Sequence, residues 1–507
     1  MKIPMLNICK RILFLTLVIS SVQCHWRKPP PTDTLVVALG SEPKTLDPRF
    51  ATDAYGQRIG SLIFSSLVRI GDDLNIIGDA AESWTYKNLT YTFKLKPNIS
   101  FHDGAALTTE DIVFSINEFK KPSSPFSPMM SVIKDVKADY GPSGGSLTLH
   151  LTKFSAPFLN DLSAMKLLPK KVLESTGDEF YRNPIGSGVF SFYKRDHKNI
   201  YLKSNENYFG QQSKSKFVQF KIIKDANTRF QKMYKGKIDL IQADIPFSKV
   251  SIFKNSEKFN VVVAPGLSTT YVLLNLRDPL LKNPEIRRAI HSSIKRDELI
   301  KYSFEGLAES ATSIVSTANP FHNYALKDEK YSPDKVSQIF SQLKDTKFIL
   351  KTSNQLSSIE NGKVIAHQLR KMGLNVELQS YEWGTYYGDV RTGKFQVAIM
   401  KWVGINDPDI YRVSLHSKMV PPGRNRGYYS NPIFDKLVEL AFVEPNNLKR
   451  KSLYNKAQAI AFKDLPTIPL WYEKQVAIVH KRVKNYSLPT TGNFTSLVNA
   501  YKEDDGK

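Results

Sequence analysis

The sequence predicts an α/β protein of more than one domain, and three observations carry that prediction. Its 507 residues, 41% of them hydrophobic, are enough for several cores. "GKVIAHQLRKMGLNVELQSYEW" reads as a helix stopped by Gly373 and followed by an alternating strand. "FQVAIMKW" then reads as a further, buried strand, so helices and strands alternate along this part of the chain.

Taken in order, residues 1–23 place Lys10 and Arg11 before an apolar run from Ile12 to Val22, the layout of a secretory signal too short to span a bilayer comfortably. Cys9 would leave with that signal. Cys24 would then have no disulfide partner, which points to lipid modification at Cys24, against a plain cleaved signal or an uncleaved one. Residues 24–32, with three consecutive prolines, make a stiff spacer.

"TLVVALGSEPKTLDP" gives a strand ending at Gly40 and a loop in which Pro43 and Pro48 stop regular pairing. Tyr91, Phe93 and Leu95 alternate onto one strand face, and Asp103-Gly104 marks a turn. "TTEDIVFSINEF" offers a threonine cap, acids in the first turn, and Ile112, Val113, Ile116 and Phe119 at helical spacing. Residues 131–154 read as a hairpin around "DYGPSGGS". Its Gly141, Ser143 and Gly145 formally match a nucleophile elbow, but a strand follows where the elbow needs a helix. Asn283 caps a helix with Pro284 in its first turn, and Ile286, Ala289, Ile290 and Ile294 form its buried stripe.

The formal charge is +23. Between residues 194 and 237 there are twelve Lys or Arg against three acids, interleaved singly with apolar residues as on a solvated face. No zinc-finger spacing or aromatic RNA-binding signature accompanies them, so a nucleic-acid partner is not expected. An exported hydrolase is the rival of another class, without a zinc-protease motif, phosphate loop or supported serine triad to carry it. The stretch "WVGINDPDIYRV", residues 402–413, is a strand end turning into a loop, because Pro408 suits neither a helix interior nor a central strand.

Several ordered stretches resemble the family 5 extracellular solute-binding proteins, receptors of ABC importers. They are "SEPKTLDP", "AESWTYKNLTYTFKLKPNISFHDGAALTTEDIVFSINEF", "PIGSGVFSF", "KGKIDL", "PEIRRAIHSSIKRDELI", "RGYYSNPIFDKLVELA" and "LPTIPLWY". The resemblance implies a type II, cluster C-like periplasmic-binding-protein clamp: two lobes joined by a two-crossing hinge near Thr270 and Tyr472, with an additional small domain. Residues 33–57, 183–270 and 476–507 would form lobe I, 58–182 the additional domain and 271–475 lobe II. It further implies a monomer without cofactor or resident metal, outside the inner membrane, that delivers an oligopeptide or peptide-like ligand to an ABC permease. A nickel chelate, haem or another non-peptide solute is the alternative ligand.

The resemblance also implies a ligand lying along two exposed strand edges, Ala38 to Glu42 and Lys401 to Gly404, held by backbone hydrogen bonds. The binding residues would be Gly40, Ser41 and Glu42 on the first edge, and Lys401, Trp402 and Gly404 on the second. Tyr271, Trp383 and Trp402 would wall the ligand, or pack as core aromatics. Members that grip a free α-amine carry an aspartate two or three residues after the tryptophan, but here Val403, Gly404 and Ile405 follow. Either Asp407 or Asp409 reaches the amine from a shortened loop, or the ligand lacks an amine in that place; Asp407 capping the loop ahead of Pro408 fits equally. Arg391 matches a family arginine that pairs with the ligand carboxylate, and a second such position falls on Ile399. His102 belongs to a family turn and is no sign of metal; His416, expected exposed, would support a metal chelate only under the alternative ligand, a lone histidine seldom doing so.

Overall fold

A computed structural model describes residue 31, residues 33–327 and residues 333–503. The expected signal, Cys24 and most of the proline spacer lie outside the described residues. Strand β1 (Leu35–Leu39) leads into a capped helix, Ala54–Ile63, whose N-cap Asp53 accepts from Gly56 N at 2.9 Å. After a small ribbon of β2 (Val68–Ile70) and β3 (Ile76–Gly78), four strands form an antiparallel sheet: β4 (Ala81–Lys87), β5 (Thr90–Leu95), β6 (Ile133–Gly141) and β7 (Gly144–Leu151), in the order β4-β5-β7-β6.

The helix between β5 and β6, Thr109–Lys120, carries a full capping box. Asp111 N bonds Thr108 Oγ1 at 3.2 Å, and Thr108 N bonds the Asp111 carboxylate at 2.9 Å. Its Ile112, Ile116 and Phe119 are wholly buried, with Val113 half-buried at the stripe's margin. The β6–β7 turn puts Ser143 at a hairpin tip, with Gly144 at φ +94°, so the elbow pattern is only a turn.

Apart from a two-stranded ribbon of Val483–Lys484 and Tyr501–Lys502, the remaining strands build one large sheet. They are β8 (Phe190–Asp196), β9 (Asn199–Ser204), β10 (Phe217–Ile222), β11 (Leu240–Gln242), β12 (Phe259–Leu274), β13 (Ala308–Ser310), β14 (Phe348–Ser353), β15 (Val376–Tyr381), β16 (Val397–Trp402) and β17 (Thr467–His480). With β1 they order as β15-β14-β16-β12-β17-β11-β1-β10-β9-β8, with β13 on β17. Two wings result. At one, β16 pairs with Thr269–Leu274 of β12; at the other, β11 pairs with Ala477–Val479 of β17.

Among the described residues only β12 and β17 run through both wings, and their register slips between Ala264 and Ser268 and again between Thr270 and Tyr271. Such bulges bend and twist a strand pair. Each wing has its own apolar core. Leu35, Phe64, Phe93, Phe190 and Phe220 belong to the first, shared with the four-stranded sheet; Val272, Ile290, Phe340, Leu350 and Trp471 belong to the second.

Candidate functional site

The site is built where the two wings face each other. Val397 to Met400 of β16 are buried, and the strand emerges at Lys401 and Trp402. Beyond it Gly404 takes φ +65°, a conformation suited to glycine, and Ile405 N returns to Leu267 O at 2.9 Å. Residues 402–407 thereby form one wall of a cavity of about 440 Å³, with Ile410 and Val413 of the short helix Ile410–Leu415 and its N-cap Asp409. The opposite wall comes from the first wing and the added sheet: Gly56, Gln57, Gly60 and Ser61 of one helix, Phe126 and Met129, and Asn160 and Asp161 of the helix Phe158–Leu162. That last helix is pinned by buried Phe158 and Leu162, and just before it Ala156 N reaches across to Phe442 O at 2.8 Å.

Trp402 is held from two sides. Its ring stacks on Tyr271 at 6.1 Å and 10°, and the Arg426 guanidinium lies 5.7 Å from its centroid. Arg426 also donates to Tyr387 Oη at 2.8 Å. Burial raises the Tyr271 hydroxyl well above its ordinary range, against the pull of Arg426, so Tyr271 is a neutral core ring.

The charged groups of the cavity differ in commitment. Asp407 takes Arg450 bidentately at 2.6 and 3.0 Å, and its Oδ1 caps Asp409 N at 2.8 Å. Asp409 takes Arg412 at 2.6 and 2.8 Å; burial raises its pKa, and Arg412 opposes that rise. Lys166 donates to Ser66 Oγ at 2.6 Å, and burial, offset in part by Asp79, brings it down to about 8. Asp161 and Arg424 complete the charged lining, and among the described residues neither side chain has an ion-pair or hydrogen-bond partner. Burial, then the charges of Asp407 and Asp409, push Asp161 up to about 8 against Arg412 and Arg450.

The family model for bacterial extracellular solute-binding proteins, family 5 Middle, matches residues 75–418. The chain belongs to the bacterial extracellular solute-binding proteins, family 5. This family is one of solute-binding receptors. The dipeptide-binding protein of Escherichia coli is 25% identical over 505 residues, covering 90% of this chain and 93% of that one. The oligopeptide-binding protein AppA of Bacillus subtilis is 27% identical over 509 residues, covering 92% and 91%. Among solved structures, the periplasmic binding protein DppA from Helicobacter pylori, in complex with the peptide STSA, superposes with a TM-score of 0.79 at 25% identity, over 93% of this chain and 98% of that one. The two-lobed α/β clamp of type II periplasmic binding proteins is thus the fold of this family 5 chain.

Against that fold the expected binding residues divide. Trp402, Gly404 and Asp407 line the cavity, but the Asp407 carboxylate is occupied by Arg450, so its place is that of a loop cap and ion-pair partner. Lys401 is not in the lining and pairs with Glu473 at 2.6 Å. The β16 edge is open as expected on one side, since β14 accompanies it only at Val397 and Ala398. The other expected edge is not open at its start: Ala38 is flanked by Lys221 and Ile241 in the sheet interior. Gly40 N is already taken, by Asp244 Oδ2 at 2.8 Å and Tyr55 Oη at 3.2 Å. Ser41 is exposed, and Glu42 is exposed and paired with Arg195.

Trp383 is 51% exposed and stacks on Tyr387, apart from the cavity lining. Arg391 is exposed in the last turn of the helix Trp383–Thr392 and is likewise absent from the lining. His416 is buried, not exposed: its Nε2 meets Glu439 at 3.1 Å and its Nδ1 accepts from Lys418 N. His102 bonds Gly188 O and Gly186 N, a structural turn. Sequence reasoning missed Asp161 and Arg424; an isolated aspartate in "FLNDLSAM" and an arginine in "PPGRNRGYY" have no spacing that marks them.

Proposed function

We propose that this protein is the substrate-binding component of an ABC importer, capturing oligopeptides or peptide-like solutes between its lobes outside the inner membrane and presenting them to a permease. The observation that carries this reading is the cavity itself. It lies between the wings, is roomy enough for a small ligand, and has on one wall the open β16 edge, whose backbone groups suit an extended peptide. The peptide ligands of the named relatives support the same assignment.

Closure would pass through β12 and β17 near Thr270 and Tyr472, where the register slips of that pair give the lobes a place to bend. Residues 1–23 would direct export, and Cys24, if acylated, would tether the mature chain to a membrane. The test is native mass spectrometry of ligand retained by purified protein, with X-ray scattering before and after peptide addition. Retained peptides and compaction on re-addition are expected. A retained nickel chelate or haem, or no compaction with any peptide, would overturn the reading.

A further inference from the structure

We propose that Asp161 holds the positive charge of the ligand, and that it does so from the wall opposite Trp402, so that a cationic ligand joins the two lobes. The inference rests on the reading of this cavity as the solute site. Of its carboxylates, Asp407 and Asp409 already have their charge-assisted bonds from Arg450 and Arg412. Lys166 bonds Ser66 Oγ and Ser163 O. Asp161 alone among the described acidic lining residues accepts no hydrogen bond, and it is only partly exposed, to the cavity.

A carboxylate so placed faces the charges of Asp407 and Asp409 across the cleft, with Arg412 and Arg450 acting more weakly. Without a ligand, bringing the lobes together therefore either desolvates a negative charge against like charges or leaves Asp161 protonated. An ammonium group placed between removes that penalty, because it is compact, carries three donors, and forms the stronger, charge-assisted class of hydrogen bond. The α-amine of a peptide is such a group. Arg424, uncommitted in the same lining, is left to face the anionic end. The elevated proton affinity of Asp161 follows from the same surroundings and agrees with a site whose counter-ion arrives with the ligand.

The test equilibrates wild type, Asp161→Asn and Asp161→Glu with a pool of short peptides, half of it N-acetylated, and measures what each retains by mass spectrometry and titration calorimetry. Wild type should prefer free amines. Asp161→Asn should bind free-amine peptides about thirtyfold or more weakly, the lower end for a buried charge that loses its partner, with acetylated peptides unchanged. Asp161→Glu should recover part of the preference. A merely structural role would change both halves of the pool alike, and the melting of Asp161→Asn, expected no lower than wild type, checks folding. If wild type retains peptides and Asp161→Asn shows the same amine preference, this inference is overturned alone. If wild type retains neither half, the peptide reading fails and this inference with it.

Discussion

Replacing Asp407 by alanine should damage the fold far more than the selectivity of binding. Asp407 gives both carboxylate oxygens to Arg450, at 2.6 and 3.0 Å, and the side chains are 16% and 4% exposed. Among the described residues Arg450 Nε has no hydrogen-bond partner, and the guanidinium lies against the rings of Phe321 and Tyr454 at 5.1 and 5.4 Å. Burial disfavours the charged Arg450, and the charge and hydrogen bonds of Asp407, with Tyr454 and Asp409, together more than compensate. Asp407→Ala therefore leaves a nearly enclosed cation without its counter-charge, a change that typically destabilises by about 3–5 kcal/mol. The lost cap on Asp409 N adds about 1 kcal/mol. Denaturant unfolding followed by tryptophan fluorescence should show this loss in the transition that reports the second lobe. Asp407→Ala combined with Arg450→Met should regain much of it, since the orphaned charge is then gone. Wild-type stability in Asp407→Ala, together with a loss of binding confined to free-amine peptides, would refute the reasoning and return Asp407 to the ligand.

Asp161 gives a pH signature of stability. Its folded pKa, about 8, lies above the ordinary carboxylate value, so the folded form keeps a proton that the unfolded chain has released. Wild-type stability should fall as pH rises from about 4 to 8. Asp161→Asn should be the more stable protein at the upper end, by on the order of a few kcal/mol, and lose that advantage toward the lower end in denaturant melts at several pH values. Gly266→Ala would put a methyl group 1.9 Å from Glu473 O, wedging β12 from β17. We expect about 1–3 kcal/mol of destabilisation by thermal melting, and unchanged melting would mean that the pair yields more easily than its geometry implies. Trp402→Ala removes a ring stacked on Tyr271; calorimetry should show weaker peptide binding by about 0.5–1.5 kcal/mol or more, and wild-type affinity would place the ligand elsewhere.

What could be read from the sequence was local. The Thr108–Asp111 cap, the Asn283-Pro284 start, the stop at Gly373 and the alternation of Tyr91, Phe93 and Leu95 each follow from contacts within a few residues, and each is present. The ends of strands were read less well. β1 was expected to be open from Ala38, whereas the parallel partners that flank it come from β10 and β11, far along the chain. Site chemistry was read least well. Asp407 looked available because its partner Arg450 is 43 residues away, on a helix whose packing no pattern announces. Asp161 looked ordinary because the Asp407 and Asp409 charges that act on it lie far along the chain, and Arg391, placed by resemblance, is exposed outside a lining that Arg424 joins instead.

The position of β17 also bears on the order in which the protein can assemble as it is made. That strand, Thr467–His480, comes near the end of the chain yet sits between β12 and β11 in the middle of the large sheet. Until it has been synthesised, β11 and the first half of β12 lack their common neighbour, and neither wing has its inner edge covered. Such long-range pairing is slow to form. A nascent chain of this protein therefore spends most of its synthesis with open strand edges, the state in which sheets pair with the wrong partner. Truncation anywhere before His480 should give insoluble protein, not a smaller working clamp.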